Sequence, residues 1–175
     1  MKQPFAEILA VGGKSNSLGR ADEVIEAVLQ DGNLLEDLCD CLFDDDAWVR
    51  MRAADCLEKV CRTHPEWLLS YIDRFEAELL SSNQPSIQWH MAQIYRQVDL
   101  TPSQKQIAIS WLKQLLSTVE VDWIVAANSM DTLRRFVNDG SVPSSDFKSL
   151  LEVQSEHKSK SVVKRASKYL NGLPS

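Results

Sequence analysis

His64, His90 and His157, with Cys39, Cys41, Cys56 and Cys61, are the side chains of this 175-residue chain that could serve as general base, nucleophile or soft metal ligand. A Cys/His nucleophilic pair needs thiol and imidazole within hydrogen-bond reach. Cys56 or Cys61 with a histidine, or with Asp55 beside them, are the combinations on offer. Their contexts point elsewhere. His64 precedes Pro65, where a helix must end because the residue before proline avoids helical dihedrals. His157 lies in a polar connection. The pairs 39/41 and 56/61 do not match zinc-knuckle spacing, and each falls in an apolar helical pattern, as small buried hydrophobes do. Gly12-Gly13-Lys14-Ser15 has part of a phosphate-loop pattern, but that motif requires glycine where Ile8 stands, and a preceding strand. A helix-ending turn accounts for both glycines. The reading is no catalytic residue, no metal site and no cofactor.

A second set of residues suits binding better. Trp89, His90 and Gln93, near Arg96, put an aromatic ring beside hydrogen-bonding and cationic groups, a combination found at partner anchors. Arg50, Arg52, Asp55 and Lys59 precede them by one interval, since residue 52 corresponds to residue 90 and residue 55 to residue 93. Arg52 with Asp55, and Asp55 with Lys59, are three and four apart and can link on one helix face. These seven residues, Arg50, Arg52, Asp55, Lys59, Trp89, His90 and Gln93, are the candidate partner-binding set. Trp48 and Trp123 read as plugs that seal the seams between repeats.

The elements that must position this set repeat every 38 residues. Segment 48–60 returns as 86–98 and again from Ile124, and a last copy begins at Ser161. A fixed period of this length marks stacked repeats. Apolar spacing of 3.6 dominates, without a convincing period-2 stretch, and predicts helices over 3–12, 20–31, 33–43, 46–63, 66–80, 84–98, 103–117, 122–138, 144–155 and 159–171. These group as five pairs in a single domain 1–175, with repeat units of roughly 1–32, 33–65, 66–101, 102–140 and 141–175. Aligning the second helices of each pair gives four apolar columns: Val49, Ile87, Val125, Val162; Ala53, Met91, Ser129, Ala166; Leu57, Tyr95, Leu133, Leu170; and Val60, Val98, Phe136, Leu173. The opposite face gives polar columns, led by Arg52, His90, Asn128 and Arg165, which stacking would align into one solvated ridge. The first helices (33–45, 66–80, 103–117, 144–156) carry −8 in all, and the second helices (46–63, 84–98, 122–138, 158–170) carry +7.

The acidic turn Asp44-Asp45-Asp46, followed by Val49-Arg50, Ala53-Ala54 and Leu57, resembles a HEAT motif. Together with His64-Pro65 and Trp89-His90-Met91-Ala92-Gln93, it is similar to a group of small bacterial and archaeal HEAT-repeat proteins, over about residues 19–173. The resemblance implies an all-α ARM/HEAT-like superhelix and no reaction. It departs from the pattern at Ala126 and Val163, where the first copy has Arg50. In such superhelices the second helices line the concave side, so a concave, relatively basic binding surface is expected.

The expected role is a non-enzymatic scaffold or adaptor that takes a protein or peptide on this face. A nucleic-acid-binding HEAT-like protein, in the style of certain DNA glycosylases, is the alternative. Net charge −6 opposes it, because phosphate binding runs on lysine and arginine. The basic stretch 157–168 reads as a polar cap on the last repeat. No apolar run reaches bilayer length, and four cysteines without an export signal point to the cytoplasm.

Overall fold

The structure, a computed structural model, describes residues 4–13 and 17–173. These form helices joined by turns, with no strand among them, so the chain is all-α as expected. The helices are α1 (Pro4–Ala10), α2 (Ala21–Gln30), α3 (Leu35–Asp40), α4 (Ala47–Thr63), α5 (Pro65–Leu68), α6 (Ile72–Glu78), α7 (Pro85–Gln97), α8 (Pro102–Leu116), α9 (Trp123–Asn138), α10 (Ser144–Gln154) and α11 (Lys160–Asn171). Lys14 and Ser15 of the rejected phosphate loop, and the expected helix start at residue 3, lie outside the described residues. None of the described helices is long and apolar enough to cross a membrane.

The helix starts follow turn chemistry. Asp46 and Asp122 accept the Trp48 and Ile124 backbone N–H groups, satisfying donors that the first turn leaves open. Thr101 and Gln104 form a reciprocal capping box. Pro65, Pro85 and Pro102 occupy first-turn positions where no amide donor is needed. Two expected helices are broken. Segment 33–43 is a short α3 between 3-10 turns at Gly32–Leu34 and Cys41–Phe43, and 66–80 is interrupted at Leu69–Tyr71. The first break begins where the Asp31 side chain takes the Asn33 N–H and tightens the chain into an i+3 pattern.

The chain divides into two compact units, Met1–Ser70 and Tyr71–Ser175. In the first, α1, α2 and α3 all pack on the long α4. Gly19, at φ +55°, turns the chain into α2 where an added Cβ would collide with the Val11 carbonyl. In the second, α6, α8 and α10 touch in succession, and so do α7, α9 and α11, giving two layers with α8 and α9 at the centre.

The apolar columns are the core. Every member is buried except Leu170 and Leu173, which are half-buried at the end of the last helix. Several side-chain hydrogen bonds within each unit join residues 31 to 43 apart. Arg52 reaches Ser17 and Leu9, 35 and 43 residues back, and Cys56 reaches Ala21, 35 back. Gln104 reaches Asp73, 31 back. Thr132 reaches Ala92, 40 back, and Gln154 reaches Leu116, 38 back.

Candidate functional site

The expected polar ridge is not a solvated face. Arg52 is buried, 2 % exposed. Its Nη1 donates to the Leu9 carbonyl at 2.6 Å and its Nε to the Ser17 carbonyl at 2.9 Å. The guanidinium also sits 6.0 Å from the Trp48 ring centre. That corrects the expectation: a cation so placed ties α4 to the segment before α2, and backbone acceptors hold it out of water. Arg50 donates to the carbonyls of Asp44 and Asp45, closing the turn before its own helix. Asp55 and Lys59 form an i,i+4 ion pair at 2.9 Å. His90 is buried and Nδ1 lies 3.0 Å from Gln93 Oε1, one turn along α7, with half-buried Trp89 tilted over its ring at 5.4 Å. Among the printed contacts of the seven, those of Arg52 reach back to Leu9 and Ser17, and the others join near neighbours in sequence.

Sequence reasoning passed over the node that replaces the ridge in the second unit. Asp131 on α9 takes Arg165 Nη1 of α11 at 2.6 Å on both carboxylate oxygens and the Tyr169 hydroxyl on Oδ1. Arg96 of α7 lies 3.5 Å away. Three successive second helices are thus joined through one carboxylate. The 34-residue step from Asp131 to Arg165 was the available signal.

The other feature absent from the expectations is a groove of about 840 Å³ within the second unit. It runs over the turns that join α6 to α7, α8 to α9 and α10 to α11. Its walls are fastened by buried polar side chains, each holding a neighbouring turn. Trp111 Nε1 donates to the Leu80 carbonyl at 3.1 Å. Gln154 Nε2 donates to the carbonyls of Leu116 and Thr118 at 2.9 Å each. His157 Nδ1 accepts the Ser159 N–H at 2.9 Å, so its Nε2 carries the proton and donates to the Val121 carbonyl at 2.9 Å. That imidazole is a fastener with both nitrogens engaged. The groove also presents Trp123, 51 % exposed, with Asn83, Gln114, Glu120 and Lys158 in its lining, while Gln88 Nε2 donates to the Ser82 carbonyl at 3.0 Å. Trp48 and Trp123 were expected to seal seams. Each instead stands in the first turn of its helix, ahead of the buried stripe, and is largely exposed.

Burial sets the protonation of the thiols and of one acid among the described residues. Burial pushes the Cys41 and Cys61 thiols up to about 12 and raises Cys56 as well, so none is a thiolate near neutrality. All four cysteines are buried. No group of three or more His, Cys, Asp or Glu side chains among the described residues could hold a metal ion. Among the described residues the Glu76 carboxyl is raised to about 7, chiefly by burial; the Tyr95 hydroxyl opposes this by donating to it at 3.3 Å.

Set against known proteins, the chain matches no protein-family model, no curated protein and no solved structure.

Proposed function

We propose that this chain is a non-enzymatic protein-binding module built from HEAT-like repeats, and that a peptide segment of its partner lies along the groove of the second unit. The observation that carries this reading is Trp123, half exposed above walls pinned by Trp111, Gln154 and His157. A rigid floor lowers the ordering cost of binding, and tryptophan is the side chain that most often anchors partners. Small-molecule pockets of similar size are lined mainly by apolar groups. Here serine, asparagine, glutamine and threonine side chains line the floor, and these suit a peptide backbone.

The repeat reading draws support from the 31–43-residue steps of the hydrogen bonds within each unit and from the two-layer succession of α6 to α11. In a concave-face version of the same function, Arg52 would be a contact. Its burial favours the turn-lined groove.

The test is selection of a displayed random-peptide library on the full chain. Selected peptides should lose at least ~10-fold in affinity, about 1.4 kcal/mol, on Trp123→Ala, with helicity unchanged. Equal binding to Trp123→Ala, with loss on Lys59→Ala or Gln93→Ala instead, would return the site to the second-helix face.

A further inference from the structure

We propose that copies of this chain associate head to tail, the outer face of α11 in one copy lying on the outer face of α2 in the next.

From His157 onward the sequence contains no acid and carries Lys158, Lys160, Lys164, Arg165 and Lys168. Arg165 turns toward α9 and is held by Asp131. Lys160, Lys164 and Lys168 recur at four-residue steps on the exposed side of α11, flanked by half-buried Val163 and Leu170. No salt bridge joins these three lysines to an acid among the described residues. At the other end of the sequence, α2 exposes Asp22, Glu26 and Gln30 at the same four-residue step. Its other exposed acid, Glu23, is already taken by Arg20 at 2.6 Å. The unit Met1–Ser70 contains 7 Lys and Arg against 14 Asp and Glu, a net −7 in a chain whose residues 157–175 carry +5.

The register follows from helix geometry. Four residues rise about 6 Å along any α-helix, so the two rows have the same pitch. The starts of α7 and α9 and the turn before α11 all border the groove, so these second helices run in one direction. Docked parallel, α2 of a next copy sets Lys160 against Asp22, Lys164 against Glu26 and Lys168 beside Gln30. Charge pairing of this kind already joins second helices inside the molecule, where Arg165 meets Asp131. The exposed face of α11 offers lysine and serine without a large exposed apolar side chain, which suits an acidic helix and gives a bilayer nothing to bury. The contact is heterologous, so two joined copies leave one acidic and one basic face free to add more. Exposed ion pairs are weak and screened by salt, so association belongs to high protein concentration and low ionic strength.

This inference rests on the stacked reading of α7, α9 and α11 and is independent of the groove. Sedimentation velocity on the full chain in ~50 mM salt should show average mass rising between ~10 and ~500 μM and falling back in ~0.5 M salt. Lys160→Glu with Lys164→Glu, and separately Asp22→Lys with Glu26→Lys, should each weaken self-association at least ~10-fold with circular dichroism unchanged, since all four sites are exposed. An equimolar mixture of the two variants should associate again, because every reversed face then meets a complementary one. A chain monomeric throughout, association that survives either reversal, or a mixture without recovery overturns the proposal. So does tighter binding of a duplex oligonucleotide to the same lysines than of one copy to another. Trp123→Ala leaves all of these readouts unmoved, so failure of the groove is distinguishable from failure here.

Discussion

Arg52 in the first unit and Arg165 in the second fall in the same polar column of the sequence, yet they are held in opposite ways. Arg52 is 2 % exposed and is held by two backbone carbonyls; the Arg165 side chain is 40 % exposed and is held by a carboxylate. A carbonyl is neutral and cannot turn away, so a cation resting on carbonyls must be dry and tightly placed to be worth its lost hydration. A carboxylate supplies full charge and tolerates water at its edge. Each arginine ties its helix to an earlier segment of its own unit, while the physics of the tie changes from buried to half-wet. Residue type and spacing are thus a poor guide to whether a polar column binds partners.

The contrast yields a ranking. Arg52→Met should cost the most, about 2–4 kcal/mol, since it strands buried carbonyls and removes charge-assisted bonds. Gly12→Ala should act through the same contact, because an added Cβ would collide with the Arg52 guanidinium. A double-mutant cycle in urea then tests the arrangement: the two changes together should cost at least ~1 kcal/mol less than their sum, and simple additivity would separate Gly12 from Arg52. Asp131→Asn should cost less, about 1 kcal/mol, because its partners Arg96 and Arg165 are partly solvated and keep water as an alternative. A loss equal to that of Arg52→Met would erase the distinction.

Glu76 gives a smaller effect with a definite sign. Its carboxyl holds a proton up to about pH 7 in the fold, against an ordinary value of 4.5, through burial. Between those values this carboxyl binds more proton in the fold than in the unfolded chain, so its contribution to stability falls as pH rises from about 4.5 to 7. Glu76→Gln should flatten that stretch of the urea-midpoint profile and stabilise the chain at pH 8; an unchanged slope would place the titration elsewhere. Smallest of all, Lys113→Met removes an exposed pair with Asp146 and should leave the midpoint where it is.

The helices and their buried columns were legible because burying one stripe of a helix imposes a 3.6 period on apolar residues. Val49, Ile87, Val125 and Val162 are all fully or almost fully buried for that reason. The site was less legible. Arg52 falls on the polar period, and its acceptors are carbonyls, which no residue letter records. The groove is made of turns, which have no helical period, and its fasteners Trp111, Gln154 and His157 look like an ordinary aromatic, amide and imidazole. A signal was present: the polar turns at 81–83, 117–118 and 157–159 recur at nearly the repeat interval. Aligned by column like the helices, these turns fall together.

The hold of Arg52 on Leu9 and Ser17 makes the chain unequal toward shortening from its two ends. Removing the last helix takes Arg165 and Tyr169 away from Asp131 and leaves an acid that Arg96 still faces, at a depth water can reach. Removing the first twenty residues leaves Arg52 inside α4 with a full charge and neither of its carbonyls. An engineer who trims or extends this chain should work from its C-terminal side, because the front of the chain is the counterweight to a charge already committed to the interior.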